Sequence, residues 1–142
     1  MTEATIRHFT VDQAQATLPL VRRIVHDLLD LHPRWRAAVA AFEAEQAIVS
    51  ASGETPDARS TRLEAGRLAG EIEACLEEFE QIGCVFKGFD AGLVDFPAVL
   101  AGRDVYLCWQ YDEPRVEYWH EIDGGFAGRQ PLDPFHFPVN EP

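Results

Sequence analysis

No stretch of this 142-residue chain holds the roughly 20 consecutive apolar residues that a membrane helix needs. Basic residues are scarce as well. The 12 Lys and Arg stand against 24 Asp and Glu, a formal charge of −12, which repels a phosphate backbone or an anionic lipid surface. Nucleic acid and membrane are therefore not expected as partners. The cysteines Cys75, Cys84 and Cys108 are odd in number and widely spaced, with no C-x-x-C pair, so they indicate neither a disulfide framework nor a cysteine-based zinc knuckle. Reduced, mostly buried thiols are the expectation. The first ten residues contain charges but no apolar core of a secretion signal, and a cytoplasmic location is expected. Also missing are G-x-S-x-G, H-E-x-x-H and the Rossmann glycine fingerprint, which removes support for the common hydrolase, metalloprotease and dinucleotide routes.

What is present suits one domain across residues 1–142: 46% apolar residues are ample for a single core, and two cores would each be undersized. After an extended start with Ile6 and Phe9, Thr10 and Gln13 form the pattern in which side chains and backbone satisfy each other at a helix start, placing that start at Val11. Pro19 suits a first turn, so residues 11–17 read as a short turn of their own. Leu20, Ile24, Leu28, Leu31, Trp35, Ala38 and Phe42 then mark one helical face, crossing Pro33, where a kink or restart is expected.

Residues 50–60, with Gly53 and Pro56, read as the connection to a second helix. Its stripe is Ala65, Leu68, Ile72, Cys75, Phe79 and Ile82, stopped by Gly83. Two such helices outreach a sheet of short strands, so the expected partner for the remaining stripe is a second copy of the chain, a homodimer through the helical hairpin.

Beyond Gly83 the chain turns aromatic and β-branched. Strands are expected at 84–89, 104–111 and 115–122, the last two joined by a turn through Asp112, Glu113 and Pro114. That turn sets Tyr111 opposite Val116, Trp109 opposite Tyr118 and Leu107 opposite His120, with Val105, Leu107, Trp109, Tyr118 and His120 toward the helices. Tyr106, Cys108, Glu117, Trp119 and Glu121 then share the other face, and a slip of one residue would exchange the environments of Cys108 and His120. Residues 131–142 carry four prolines among Leu132, Phe135, Phe137 and Val139 and read as an extended C-terminal arm. The fold expected is α+β: a long antiparallel helical hairpin over about 11–82, packed on a small antiparallel sheet over about 84–130.

Four strings of the carboxyl half, Gly92-Leu93-Val94-Asp95-Phe96-Pro97, Leu107-Cys108-Trp109, Trp119-His120-Glu121 and Gly125-Phe126-Ala127-Gly128-Arg129-Gln130-Pro131, resemble a bacterial family known as domain of unknown function 2203. Phe9-Thr10 and Leu18-Pro19 fit the same pattern, so the resemblance runs along essentially the whole chain. It implies a stand-alone bacterial protein and brings no activity, substrate or cofactor with it. It does place Asp95, Cys108, Trp109, His120, Glu121 and Arg129 at motif positions.

Chemically, Asp95, Cys108, Glu117, His120 and Glu121 supply the carboxylate, thiolate and imidazole donors that a transition metal prefers, so a divalent ion is the cofactor such a set would take. Each has an ordinary structural role as well: a core imidazole for His120, a small buried hydrophobe for Cys108, and a turn or short-helix cap before residues 96–100 for Asp95. Adjacent His120 and Glu121 point to opposite faces of a strand unless a bulge re-aims one of them. Glu77, Glu78 and Glu80 read as a solvated face, and His26 with Asp30 as a surface pair. Gly124 to Arg129 pairs flexible backbone with a guanidinium, which would hold an anion or a carboxylate of the chain.

Two functions from different classes follow. The leading one is a dimeric, non-catalytic binding or regulatory protein with a protein or small-molecule partner. The alternative is a metal-dependent enzyme of hydrolase type, with the ion on His120 and Asp95 or Glu121, Cys108 as a further ligand and Arg129 on an anionic substrate. A ligand pocket walled by Trp109, Tyr118 and Trp119, with Glu117 and Arg129 at hand, is a third arrangement.

Overall fold

Thr10 opens the first helix as its sequence dictates: its hydroxyl accepts from the Gln13 amide N–H at 3.0 Å, and the Gln13 side chain accepts from the Thr10 N–H at 3.0 Å. In this computed structural model, which describes residues 7–47 and 53–133, α1 spans Val11–Gln46 and α2 spans Pro56–Ile82. The sheet holds β1 (Val85–Phe86), β2 (Leu93–Leu100), β3 (Arg103–Gln110), β4 (Tyr118–Glu121) and β5 (Gln130–Pro131). The architecture is α+β, and the sheet is an antiparallel meander in chain order. No helix among the described residues is long and apolar enough to cross a membrane.

Several expectations about the helices need correction. α1 runs unbroken through Pro19 and Pro33, so there is neither a separate first turn nor a restart. Both prolines lie on the exposed side, where each withdraws only its own N–H from the helix. Residues 56–60, assigned to the connection, belong to α2: Thr55 accepts from the Ala58 N–H at 3.1 Å and Pro56 takes the first helical position. Leu20 is 37% exposed, and Val21 and Val25 take the buried positions in its stead. Gly83 does stop α2, with φ at 96° and its N–H on the Phe79 carbonyl at 2.9 Å.

The chain divides into two compact units. The first comprises the described residues up to Val25 and from Glu78 onward. Its core sets Phe9, Ala14, Leu18, Val21 and Val25 beside one face of the sheet, formed by Val94, Phe96, Ala98, Val105, Leu107, Trp109 and Trp119, all buried. Phe9 meets Phe96 edge-on at 5.3 Å, and Phe79 of α2 stacks on Phe86 at 5.7 Å. The second unit, His26–Glu77, buries Leu28, Leu31, Ala58 and Leu68 between its helices. Its surface carries ion pairs such as Arg34 with Asp30 at 3.0 Å and Arg67 with Glu71 at 2.8 Å.

The sheet departs from expectation at four places. Residues 96–100 form strand, not helix, although Pro97 sits among them. The Pro97 carbonyl points away from β3 and accepts from the Phe9 N–H at 2.7 Å. A strand residue directs N–H and C=O to the same side, so the proline removes no bond to β3. Strand 84–89 shrinks to Val85–Phe86.

The register of β3 with β4 is shifted by one residue from expectation: Tyr106 faces His120, Leu107 faces Trp119 and Cys108 faces Tyr118. The turn closes at Gln110, whose carbonyl accepts from the Glu113 N–H at 2.9 Å. Gln15 of α1 takes both backbone groups of Val116, donating to its carbonyl at 2.8 Å and accepting from its N–H at 3.0 Å. With Val116 bonded to a helix side chain, pairing starts only at Tyr118. At the far edge, Pro131, the first residue of the expected arm, pairs with Tyr118 in β5, where a missing N–H is harmless. The rest of the expected arm, from residue 134, lies outside the described residues.

Candidate functional site

The slipped register puts three donors on the sheet face opposite the hydrophobic core. Asp95 on β2 lies directly across from Cys108 on β3, and His120 on β4 lies across from Tyr106, two residues along from Cys108. All three are buried, and their donor atoms lie within 4.8 Å of one another. His120 Nε2 is 3.0 Å from Asp95 Oδ1.

On its other side, His120 Nδ1 is 2.6 Å from the Glu121 carbonyl oxygen, which only accepts, so Nδ1–H donates there and Nε2 is turned to Asp95. The ring also lies 5.5 Å from that of Tyr106, and Gly124 packs close behind the His120 Cβ. Burial pushes the Cys108 thiol up to about 12, with the neighbouring Asp95 carboxylate adding to the rise and Arg129 working against it. A protonated thiol beside a carboxylate is no free nucleophile, but carboxylate, thiol and imidazole within 4.8 Å of one another are donors that could hold a metal ion.

A charged layer adjoins this centre. Arg129 Nη2 donates to the Cys108 carbonyl at 3.3 Å and to Glu113 Oε1 at 2.5 Å, and the same Glu113 oxygen accepts from the Gln110 N–H at 2.7 Å. The guanidinium carbon lies 4.0 Å from the Tyr118 ring centre and 4.9 Å from that of Phe126. Gly125, with φ at 60°, and a short 3-10 turn at Phe126–Gly128 return the chain so that Arg129 reaches back over β3 and β4. Desolvation acts to lower the Arg129 pKa, but Glu113 and Cys108 outweigh it and hold the group above its ordinary value.

Glu121 does not join the three donors. It points to the other face and pairs with Arg103 at 2.6 Å on the surface. Glu117 is exposed ahead of β4, and its carbonyl accepts from the Leu132 N–H at 2.9 Å. Trp109 and Trp119 lie in the core face, Trp109 donating through Nε1 to the Glu113 carbonyl at 2.8 Å, whereas Tyr118 faces the opposite way, so the three rings do not wall one pocket. Glu113, Tyr118 and Phe126 frame Arg129; in the sequence Glu113 read only as a turn residue, and no local signal tied it to Arg129, 16 positions on.

Residues 7–132, which include every member of this site, match the model of one family, described as an uncharacterized conserved protein (DUF2203). No curated protein and no solved structure matches the chain.

Proposed function

Because the chain belongs to the DUF2203 family, whose description assigns no activity, its function has to be read from its own side chains, and we propose that it binds one divalent transition-metal ion, zinc in the first instance. The supporting observation is the placement of Asp95, Cys108 and His120, with every donor atom within 4.8 Å of the others. Tetrahedral zinc, with ligands at about 2.0–2.3 Å, draws its donors to within about 4 Å of one another, which requires only a small closing movement. The His120 Nδ1–H bond to the Glu121 carbonyl is the outer contact that would fix a ligating imidazole with Nε2 turned toward Asp95 and the metal position. An ionised Asp95 and Cys108 would balance the charge of the ion in this buried site.

Three protein ligands leave a fourth position, the arrangement of zinc centres that activate water or polarise a carbonyl, so hydrolysis is the chemistry to assay. The test is the metal content of purified, untagged wild-type protein, His120→Ala and Cys108→Ser by inductively coupled plasma mass spectrometry. Near-stoichiometric metal lost in both variants is expected; metal-free wild-type protein after growth in zinc-supplemented medium would end this reading.

A different observation favours a second property. In the unit His26–Glu77, Trp35, Ala38 and Phe42 continue the apolar stripe but are only half-buried, and Leu63 is 55% exposed. We infer that a second copy covers them, giving a homodimer suited to binding or regulation. Sedimentation of the wild type as a dimer and of Trp35→Glu as a monomer is the expected result, and a wild type that stays monomeric at all concentrations removes it.

A further inference from the structure

Arg129 is held more firmly than its bonds to Glu113 and Cys108 require. Its side chain is 10% exposed, and the guanidinium also packs on the Tyr118 and Phe126 rings. Only Nη2 is engaged with Glu113, so the carboxylate uses one tooth of a fork that ordinarily takes two oxygens. The remaining buried donor, Nε–H, has no partner among the described residues. A buried donor without an acceptor is costly, and an acceptor from outside the chain would relieve it. The same guanidinium donates to the backbone carbonyl of Cys108, whose thiol is one of the three proposed metal donors.

We propose that Arg129 makes the Asp95, Cys108 and His120 centre an oxyanion site, in which a small carboxylate or phosphoryl group places one oxygen on the metal ion and another on the Arg129 Nε–H. This rests on the metal reading above. An ion with three protein ligands has room for one oxygen, and the planar guanidinium beside Cys108 supplies the directed donor that an ion alone lacks. Phe126, one of the two rings against the guanidinium, is 52% exposed, so Arg129 lies close to the surface at that ring. The glycines on either side of that ring let the segment yield to an entering ligand.

The test uses zinc-loaded wild-type protein, Arg129→Gln and Arg129→Lys, with zinc measured in each and the fold checked by circular dichroism. Each is titrated by calorimetry with inorganic phosphate and, separately, with acetate. The wild type is expected to bind at least one anion, and both variants to bind it about tenfold more weakly or worse at unchanged zinc content. Lysine keeps the charge but has no Nε–H, so failure of Arg129→Lys to restore binding identifies the directed donor. Preference for phosphate or for acetate tells a phosphoryl ligand from a carboxylate one. A zinc-loaded wild type that ignores both anions, or variants that bind as well as it does, overturns the oxyanion site and leaves the metal centre standing. Protein that takes up no zinc overturns both.

Discussion

Asp95 and His120 stand 25 positions apart in the chain, yet His120 Nε2 meets Asp95 Oδ1 at 3.0 Å with 2% of Asp95 and 3% of His120 exposed. They come from β2 and β4, which are neighbours only through β3. Removing one side of a buried hydrogen bond leaves the other group unsatisfied, at about 1–3 kcal/mol. Metal-free Asp95→Leu is therefore expected to lose roughly 2 kcal/mol in urea denaturation. The double variant with His120→Leu is expected to lose less than the two single variants added together. Strict additivity would show that the pair is not coupled.

The two buried thiols give a pH dependence of definite sign. Desolvation holds Cys84 and Cys108 up at about 12 in the folded protein, against about 8.5 for an unfolded thiol. The folded state thus keeps its protons longer, and the stability this brings is complete below pH of about 8.5 and is lost as pH climbs toward about 12. Each thiol contributes a slope of about 1.4 kcal/mol per pH unit inside that window. Urea denaturation of metal-free protein between about pH 9 and 10 should show Cys84→Ala with a shallower decline than the wild type, by the share of one thiol. Equal slopes would place the Cys84 thiol in contact with water.

The residues that were legible in the sequence are those whose partners are local. Thr10 and Gln13 cap α1 from three positions apart, and the stripe from Leu68 to Phe79 and the stop at Gly83 follow from helical spacing. The core side of β3, with Val105, Leu107 and Trp109, was readable from alternation. What escaped depends on distant partners. Residues 96–100, with Pro97 among them, read as a turn or short helix until the Phe9 N–H is seen on the outward Pro97 carbonyl. His120 reads as core-facing with Leu107 until Gln15, from 101 positions away, is seen holding Val116 out of the ladder. The chemical identity of Asp95, Cys108 and His120 was visible; their convergence depended on a register that no local pattern specifies.

That dependence on Gln15 is itself testable. Its amide replaces a strand neighbour for both backbone groups of the buried Val116. Gln15→Ala strands a donor and an acceptor at about 1–3 kcal/mol each, reduced where water enters, so a net loss of about 2 kcal/mol is expected in urea denaturation. Gln15→Glu should fare no better at neutral pH, because a carboxylate oxygen would face the Val116 carbonyl. A loss below about 0.5 kcal/mol for Gln15→Ala would mean that the β3 to β4 register is set elsewhere.

The hairpin between β2 and β3 carries strain that a single substitution can relieve. Leu100 pairs with Arg103 across Ala101 and Gly102, whose φ angles are 51° and 79°. A two-residue turn with both angles positive follows the twist of the strands and favours Asn-Gly, whereas an alanine in the left-handed region crowds its Cβ against the next carbonyl at about 1–2 kcal/mol. Ala101 is exposed, so nothing packs against a larger side chain there. Ala101→Asn is expected to stabilise the protein by about 0.5–1 kcal/mol, a rise in Tm of roughly 2–4 °C for a chain of this length. Ala101→Val, β-branched at the same angle, should lower Tm. Because β2 and β3 carry Asp95 and Cys108 in direct register, a tighter turn should leave metal content unchanged in Ala101→Asn, and a change in metal content alongside the Tm would show that the hairpin sets the spacing of those two donors.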